Sequence, residues 1–408
     1  MISLDEALAI YPTIAPLEAV ERSLEDCLGL RTVQRVLAPV DLPLADQSAL
    51  DGYALNSADT ESASTDSPVI LEIDGEQAAG PLEATSVRPN TCRRIYTGAW
   101  LPDGFDAMVA QERVDASDSQ IHLTHPVPQG NNIRQRGEEI RQSALLLPSG
   151  ELIDPGRLAM LAMAGVGKLA VRPAPRIALM ITGTELVPAG QSLQPGQAFD
   201  SNGPALRALL KSWGHPLVAS ANAPDDRHLT TQLLEELTSN ADIVVTTGGV
   251  SVGAHDHVRA AARACGFAEV FWRVAQKPGK PMLLARRGKQ WLMGLPGNPA
   301  AVYVCAQLHL ASLIRRLGGH PGTPPWQTAR LQSTIQPDRQ RDCLVRVSHP
   351  MGSEHGVQPL PAQASHMLSN LREADGLVRI RAGNAPLEAG TELEFLRFET
   401  NFSFQRNS

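Results

Sequence analysis

Three short apolar runs in the middle of the chain each end in a glycine-bearing turn that opens a helical pattern. The turns are Thr182-Gly183-Thr184-Glu185, Gly248-Gly249-Val250-Ser251-Val252-Gly253 and Leu295-Pro296-Gly297-Asn298-Pro299. The run 177–181 is uninterrupted, as expected for a strand buried on both faces, and 242–247 and 291–295 follow as further strands. Strands alternating with helices restrict the fold to a parallel sheet covered on both sides, with its turns at the carboxyl ends, where ligands bind. Backbone N–H groups at such turns and helix starts attract anions. The region therefore reads as a holder of something phosphorylated or otherwise anionic.

The intervening helices carry ordinary signals. Leu206, Leu209, Leu210 and Trp213 have helical spacing and Gly214 ends them. A short helix over 258–265 stops at Gly266, and a longer one starts with Asn298 as cap and Pro299 at its first position and runs to Leu317. Texture changes on either side of this block. Residues 1–46 begin as helix, with Ser3 as N-cap, Glu6 as its capping-box partner, and Leu4, Leu8 and a Leu17/Val20/Leu24 series as apolar faces. Residues 47–135 have the short apolar runs and turn residues of β structure. Residues 136–171 return to helix around Asp154, Pro155, Leu158, Leu161 and Ala162, and Arg172-Pro173-Ala174-Pro175 reads as a linker. From Pro324 the pattern is β again, with strands at 344–347, Gly376–Ile380 and 392–396.

At 408 residues the chain exceeds one ordinary core, so several domains are expected. A net charge of −7 argues against a broad nucleic-acid surface. Cys27, Cys92, Cys265, Cys305 and Cys343 are too scattered for a zinc or redox pair and read as inert thiols in a reducing compartment. There is neither a secretory leader pattern nor an apolar run long enough to span a bilayer, so no membrane role and a cytoplasmic location are expected.

The candidate chemistry gathers near the glycine turns. Glu185, Asp225 and Asp256 are carboxylates near an anion cradle, an arrangement that holds Mg²⁺ against phosphate oxygens. Asp225 and Asp256 could equally be helix N-caps, which spacing alone favours, and Glu185 an exposed loop acid. Lys277-Pro278-Gly279-Lys280-Pro281 presents two cations on a stiff segment suited to a tetrahedral oxyanion, although composition alone would make it a solvated basic loop. Asp51-Gly52-Tyr53-Ala54 and Thr97-Gly98-Ala99 are accounted for by turn chemistry, and the Arg134, Arg136, Glu138, Glu139, Arg141 run by a solvated charged face. No histidine spacing suggests a metal site.

Taken together and in order, these words resemble the molybdopterin molybdenumtransferase family, which includes bacterial MoeA and the gephyrin E domain. The matching segments are Asp51-Gly52-Tyr53-Ala54, Thr97-Gly98-Ala99 with Pro102, Arg134-Gln135-Arg136-Gly137-Glu138, Thr182 to Leu186, Asp200-Ser201-Asn202, Gly248 to Gly253 with Asp256, Lys277 to Pro281, Pro296 to Pro299, and Ser365-His366-Met367-Leu368-Ser369. The resemblance implies an α/β multidomain protein. A central doubly wound parallel-type sheet over 172–323 would form the molybdopterin-binding domain. An elongated helical domain would comprise 1–46 plus 136–171, with two β-rich domains over 47–135 and 324–408. It implies a homodimer that takes adenylated molybdopterin and molybdate, releases AMP with Mg²⁺ as cofactor, and could meet the molybdopterin adenylyltransferase and recipient molybdoenzymes.

By the same resemblance, Gly248, Gly249, Ser251, Gly253, Pro296, Gly297, Asn298 and Pro299 would bind the pterin phosphate and its neighbours. Glu185, Asp225 and Asp256 would hold Mg²⁺. Lys277, Lys280 and Arg346, with Ser365 and Ser369, would gather molybdate, and Asp51, Thr97 and Arg134 would reach into the cleft. The chain departs from the family pattern at Glu139, where Asp is usual, and at Thr184 and Ala254, where acids are common, and at Arg273, where Lys is common. Two other readings stand beside the enzyme: a non-catalytic molybdopterin-binding scaffold, favoured by the lost acids, and a molybdopterin adenylyltransferase, disfavoured by the long flanking regions.

Overall fold

In a computed structural model of the chain, the described residues are 1–80, 87–215, 217–250, 257–349 and 356–398. The chain divides into two compact units, one formed by Met1–Val20, Gly29–Arg31 and Arg172–Ser408, the other by Glu21–Leu28 and Thr32–Val171.

The first unit is built on a six-stranded sheet in the order Leu217–Ala223, Ile177–Thr182, Ile243–Thr247, Gln290–Leu295, Leu283–Arg287, Ala268–Trp272. The first four strands are parallel, as the apolar runs required. One strand runs against the rest: a tight turn at Gly288, at φ +57°, folds Leu283–Arg287 back antiparallel on Gln290–Leu295, and Ala268–Trp272 pairs antiparallel with it, returning to the direction of the first four. Helices cover both faces. Asn202–Ser212, Pro299–Cys305 and Ala311–Leu317 bury Leu206, Leu210, Val302, Leu313 and Leu317 on one side, together with Leu4, Ala7 and Tyr11 from the N-terminus. Arg227–Ser239 and Val258–Ala264 bury Leu234, Leu237, Val258 and Ala261 on the other. The strand Ile177–Thr182 lies between the next two in sequence, so the chain reverses direction across it. Its carboxyl end opens on the crevice that such a reversal creates.

Between Pro299 and Leu317 the expected helix is not uniform. Ala306–Leu310 is a π-helical segment joining two α-helical halves. The C-terminal strands Asp342–Ser348, Gly376–Ile380, Glu392–Arg397 and Gln327–Arg330 form a second sheet, to which Gln276–Lys277 adds a short parallel strand. The segment carrying Lys277 is thereby fastened to the C-terminal sheet.

The second unit centres on a six-stranded sheet of Ala107–Ala110, Gly52–Leu55, Thr91–Ile95, Val69–Gln77, Gln120–Leu123 and Asp115–Ala116. Tyr53, Leu55, Leu71, Cys92 and Ile121 fill its core. This bears out the β texture of 47–135. Two helical expectations are corrected. The Leu17/Val20/Leu24 series does not form a helical face, because Val20–Ser23 is extended and Leu24–Cys27 a 3₁₀ turn. Residues 136–171 hold one helix, Pro155–Met163, capped by Asp154 on the Arg157 N–H at 2.8 Å. Left-handed turns at Gly137, Ser143 and Gly150 break the rest. Among the described residues no helix is long and apolar enough to cross a membrane.

Candidate active site

A cavity of about 630 Å³ lies at the carboxyl edge of the α/β sheet, lined by groups from all three glycine turns, the Lys277–Lys280 loop and, from the C-terminal region, Arg341, Gln363 and Ser365 in segments between strands. Glu185, Gly248, Gly249, Lys277, Lys280, Pro296, Gly297, Asn298 and Ser365 all reach it. Groups far apart in the sequence thus meet at one edge of the sheet. Ser251, Gly253 and Asp256 lie outside the described residues.

Close backbone approach explains the glycines. Gly248 and Gly249 have φ of +78° and +66°. A Cβ on Gly248 would meet the Thr182 hydroxyl at 2.7 Å, and one on Gly249 would meet Val258 at 2.6 Å. That hydroxyl donates to the Thr247 carbonyl at 2.7 Å, tying the first turn to the second. The Asn202 amide donates to the Gly297 carbonyl at 2.9 Å and holds the third. Trp272 donates its indole N–H to the Val250 carbonyl at 2.9 Å, with Arg259 and Arg273 at 3.7 and 4.1 Å from its ring.

The acidic side is organised through the first turn. Gly183, at φ +137°, lets the Glu185 carboxylate fold back so closely that a Cβ on Gly183 would lie 2.7 Å from it. Thr184 donates its hydroxyl to Asp225 at 3.0 Å. Asp225 is therefore not the helix cap; Asp226 is, accepting from the Leu229 N–H at 2.8 Å.

On the basic side, Lys277 and Lys280 are exposed, and neither is in an ion pair among the described residues. Arg341, which also lines the cavity, is engaged with Asp338 at 2.8 Å. Beneath the lysines, Gln276, His309 and Tyr11 are fully or almost fully buried, and sequence reasoning missed all three. No motif or spacing marked them.

Three assignments are corrected. Arg346 does not face an oxyanion: it is 1% exposed, and its guanidinium donates to Gln363 and to the Met367, Ala362 and Ala364 carbonyls. It shapes the loop that carries Ser365. Ser369 opens an exposed 3₁₀ turn and does not line the cavity. Asn298 makes no side-chain cap; its amide donates instead to the Ser365 hydroxyl at 2.9 Å, while Pro299 takes the first helical position as expected.

In the second unit Asp51 accepts both the Thr97 N–H at 2.8 Å and its hydroxyl at 2.7 Å. Those bonds, the backbone one foremost, hold its carboxyl below the usual carboxylate range. Arg134 is exposed and lines a separate cavity of about 600 Å³ with Trp100, Glu138 and Glu139.

Comparison with known proteins places this geometry. Residues 2–165 match the MoeA N-terminal region (domain I and II), 178–316 a probable molybdopterin binding domain, and 328–398 the MoeA C-terminal region (domain IV). The chain is 32% identical over 379 residues to molybdopterin molybdenumtransferase 2 of Mycobacterium tuberculosis, covering 91% of this chain and 93% of that one. It is 33% identical over 401 residues to the molybdopterin molybdenumtransferase of Synechococcus elongatus, covering 96% and 98%. Its fold superposes on the crystal structure of a molybdopterin biosynthesis MoeA protein from Pyrococcus horikoshii with a TM-score of 0.82 at 28% identity, over 98% of this chain and 99% of that one. The chain belongs to the MoeA family of molybdopterin molybdenumtransferases.

Proposed function

We propose that the protein inserts molybdate into adenylated molybdopterin and releases AMP, with Mg²⁺ as cofactor. One observation carries this reading: the Glu185 carboxylate and two lysines that form no ion pair among the described residues line one cavity together with the backbone turns at Gly248-Gly249 and Pro296-Gly297-Asn298. An adenylated pterin presents a pyrophosphate and molybdate is a tetrahedral dianion, and these walls answer both. The Gly248 N–H is spent on the Leu295 and Pro296 carbonyls, so the two turns would offer the pterin phosphates the N–H groups of Gly249, Gly297 and Asn298 and the steric room of their glycines. Lys277 and Lys280 supply point charges for the oxyanion, with Ser365 as a neutral donor.

Glu185 and Asp225 are hard oxygen donors, a set that suits Mg²⁺, which takes one or two carboxylates and completes its shell with water and phosphate. They would hold the ion, which supplies charge neutralisation on the pyrophosphate when bound. Asp256 joins them in this reading. Thr184 orients Asp225, and the fixed donors around the cavity stabilise charge as the phosphoanhydride breaks. Asp51, Thr97 and Arg134 are proposed as further substrate-contacting groups, in a homodimer located in the cytoplasm. The four-domain division at residues 46, 135, 171 and 323 belongs to the same reading, as do contacts with the adenylyltransferase and recipient molybdoenzymes.

The test is to incubate the protein with adenylated molybdopterin, molybdate and Mg²⁺ and to follow AMP release and reconstitution of an apo-molybdoenzyme. Both should occur and both should stop on chelation. Tight pterin binding without AMP release would instead establish the scaffolding reading, which the absence of acids at Thr184 and Ala254 favours.

A further inference from the structure

Under the lysine loop lies a chain of buried polar groups that touches no solvent. His309, 0% exposed in the π-helical segment Ala306–Leu310, has Nδ1 3.0 Å from the Tyr11 hydroxyl and Nε2 2.8 Å from the Gln276 amide oxygen. The other end of that amide donates to the Gly279 carbonyl at 3.4 Å and lies 3.3 Å from the Cys305 sulfur. These contacts leave one consistent polarity. The Gly279 carbonyl only accepts, so the Gln276 nitrogen faces it and the oxygen faces His309. His309 must then donate from Nε2 and accept at Nδ1, so Tyr11 donates. Burial pushes the His309 pKa down to about 3, so the imidazole is neutral and this polarity persists at physiological pH.

Polar groups sunk in an apolar core are costly unless each is satisfied, so a complete chain in such a place needs a reason. Its end point supplies one. Gly279 sits between Lys277 and Lys280 with φ +95°, and a Cβ there would collide with Cys305 and meet Gln276 at 2.7 Å. The loop is thus cast against the amide of Gln276. A π segment is itself a rare insertion that changes the direction of side chains beyond it.

We propose that Tyr11, His309 and Gln276 form a positioning relay that fixes the spacing of the Lys277 and Lys280 ammonium groups and so sets the affinity for a tetrahedral oxyanion dianion. The proposal rests on reading the two lysines as the oxyanion's ligands.

The experiment compares Lys277→Ala, His309→Leu, His309→Gln and Tyr11→Phe in the full chain, measuring the KM for molybdate, the KM for the adenylated pterin, and calorimetric binding of molybdate alone. His309→Leu should raise the molybdate KM about tenfold and leave the pterin KM within about twofold. His309→Gln, whose amide still donates towards Gln276, should recover most of the loss. Should His309→Leu fail to fold, Tyr11→Phe removes one oxygen only and should still weaken molybdate about two- to fivefold. If both KM values rise together, or if only thermal stability changes, the groups are structural and the relay is overturned. If Lys277→Ala weakens molybdate but the relay variants do not, the relay alone fails. If Lys277→Ala has no effect on molybdate, the oxyanion assignment beneath it fails.

Discussion

The Asn298 side-chain amide donates to the Ser365 hydroxyl at 2.9 Å, joining the turn after Gln290–Leu295 to the loop that Arg346 organises. A second strap runs beside it, from the Ala300 N–H to the Ser365 carbonyl at 2.9 Å. Asn298 and Ser365 were each assigned to a ligand from the sequence, but their first partners are one another. Asn298→Ala and Ser365→Ala should therefore each raise the KM for molybdate, and the double variant should be less impaired than the sum. A coupling of about 1 kcal/mol is expected from a double-mutant cycle on that KM. Strict additivity would show that the two side chains act independently on the ligand.

Buried His309 and half-buried His320 make the fold acid-sensitive. For His309 the ordinary value is 6.5 and the folded value about 3; His320 falls to about 4, chiefly through burial and then through Arg31. Above pH 6.5 neither the folded nor the unfolded chain carries the His309 proton. Between 6.5 and about 3 only the unfolded chain does, so stability falls as the pH falls through that window. Each such group contributes a slope of about 1.4 kcal/mol per pH unit. Asp51 and Asp338, whose carboxyls are depressed by hydrogen bonds, add their own loss only below their ordinary 3.8. Denaturant unfolding of wild type and His309→Gln between pH 6.5 and 4.5 isolates the histidine: the variant should show a slope shallower by about that amount, whatever its stability at pH 7.

Local sequence made some of this site visible. The strands at 177–182 and 376–380, the glycine turns and the lysine loop carry their signal within a few residues, as an apolar run, a required positive φ or a Pro-Gly pair. What escaped depends on partners far away in sequence. Tyr11 and His309 are 298 positions apart, and nothing local distinguishes a histidine in a helix from any other. Arg346, which the family resemblance would set on molybdate, is a related case: only its burial in the fold shows that loop carbonyls take up its guanidinium. The 136–171 stretch was misread because helical spacing around Leu158 was extended backwards over residues that fold as turns.

The second glycine turn can be tested by adding one methyl group. In Gly248→Ala the new Cβ would meet the Thr182 hydroxyl at 2.7 Å at a backbone φ of +78°. Displacing that hydroxyl also breaks its bond to Thr247. A loss of about 1–3 kcal/mol in stability is expected, with weaker binding of the adenylated pterin. Gly190→Ala is the control, because it shares the left-handed φ of +91° but has open space around its Cβ position. It should cost about 1 kcal/mol and leave binding intact. Equal effects on binding would remove the steric argument for the cradle.

Arg346 separates shaping the site from touching its ligand. Its guanidinium is a planar fork that meets Gln363 and several loop carbonyls at once, and it is 1% exposed. Lysine keeps the charge but offers its donors from a single point, so it cannot satisfy that set. Arg346→Lys should lose about 2–4 kcal/mol, since it leaves buried carbonyls unpaired around a buried charge. The loop that carries Ser365 should shift with it, so the molybdate KM should rise as the melting temperature drops. Lys277→Ala should behave oppositely, raising that KM with an unchanged melting temperature, because its ammonium is exposed and holds nothing in the fold. Melting curves and molybdate titrations of both variants decide the matter. If Arg346→Lys weakened molybdate while melting like wild type, the guanidinium would be a ligand after all, and the loop would be held by its other bonds.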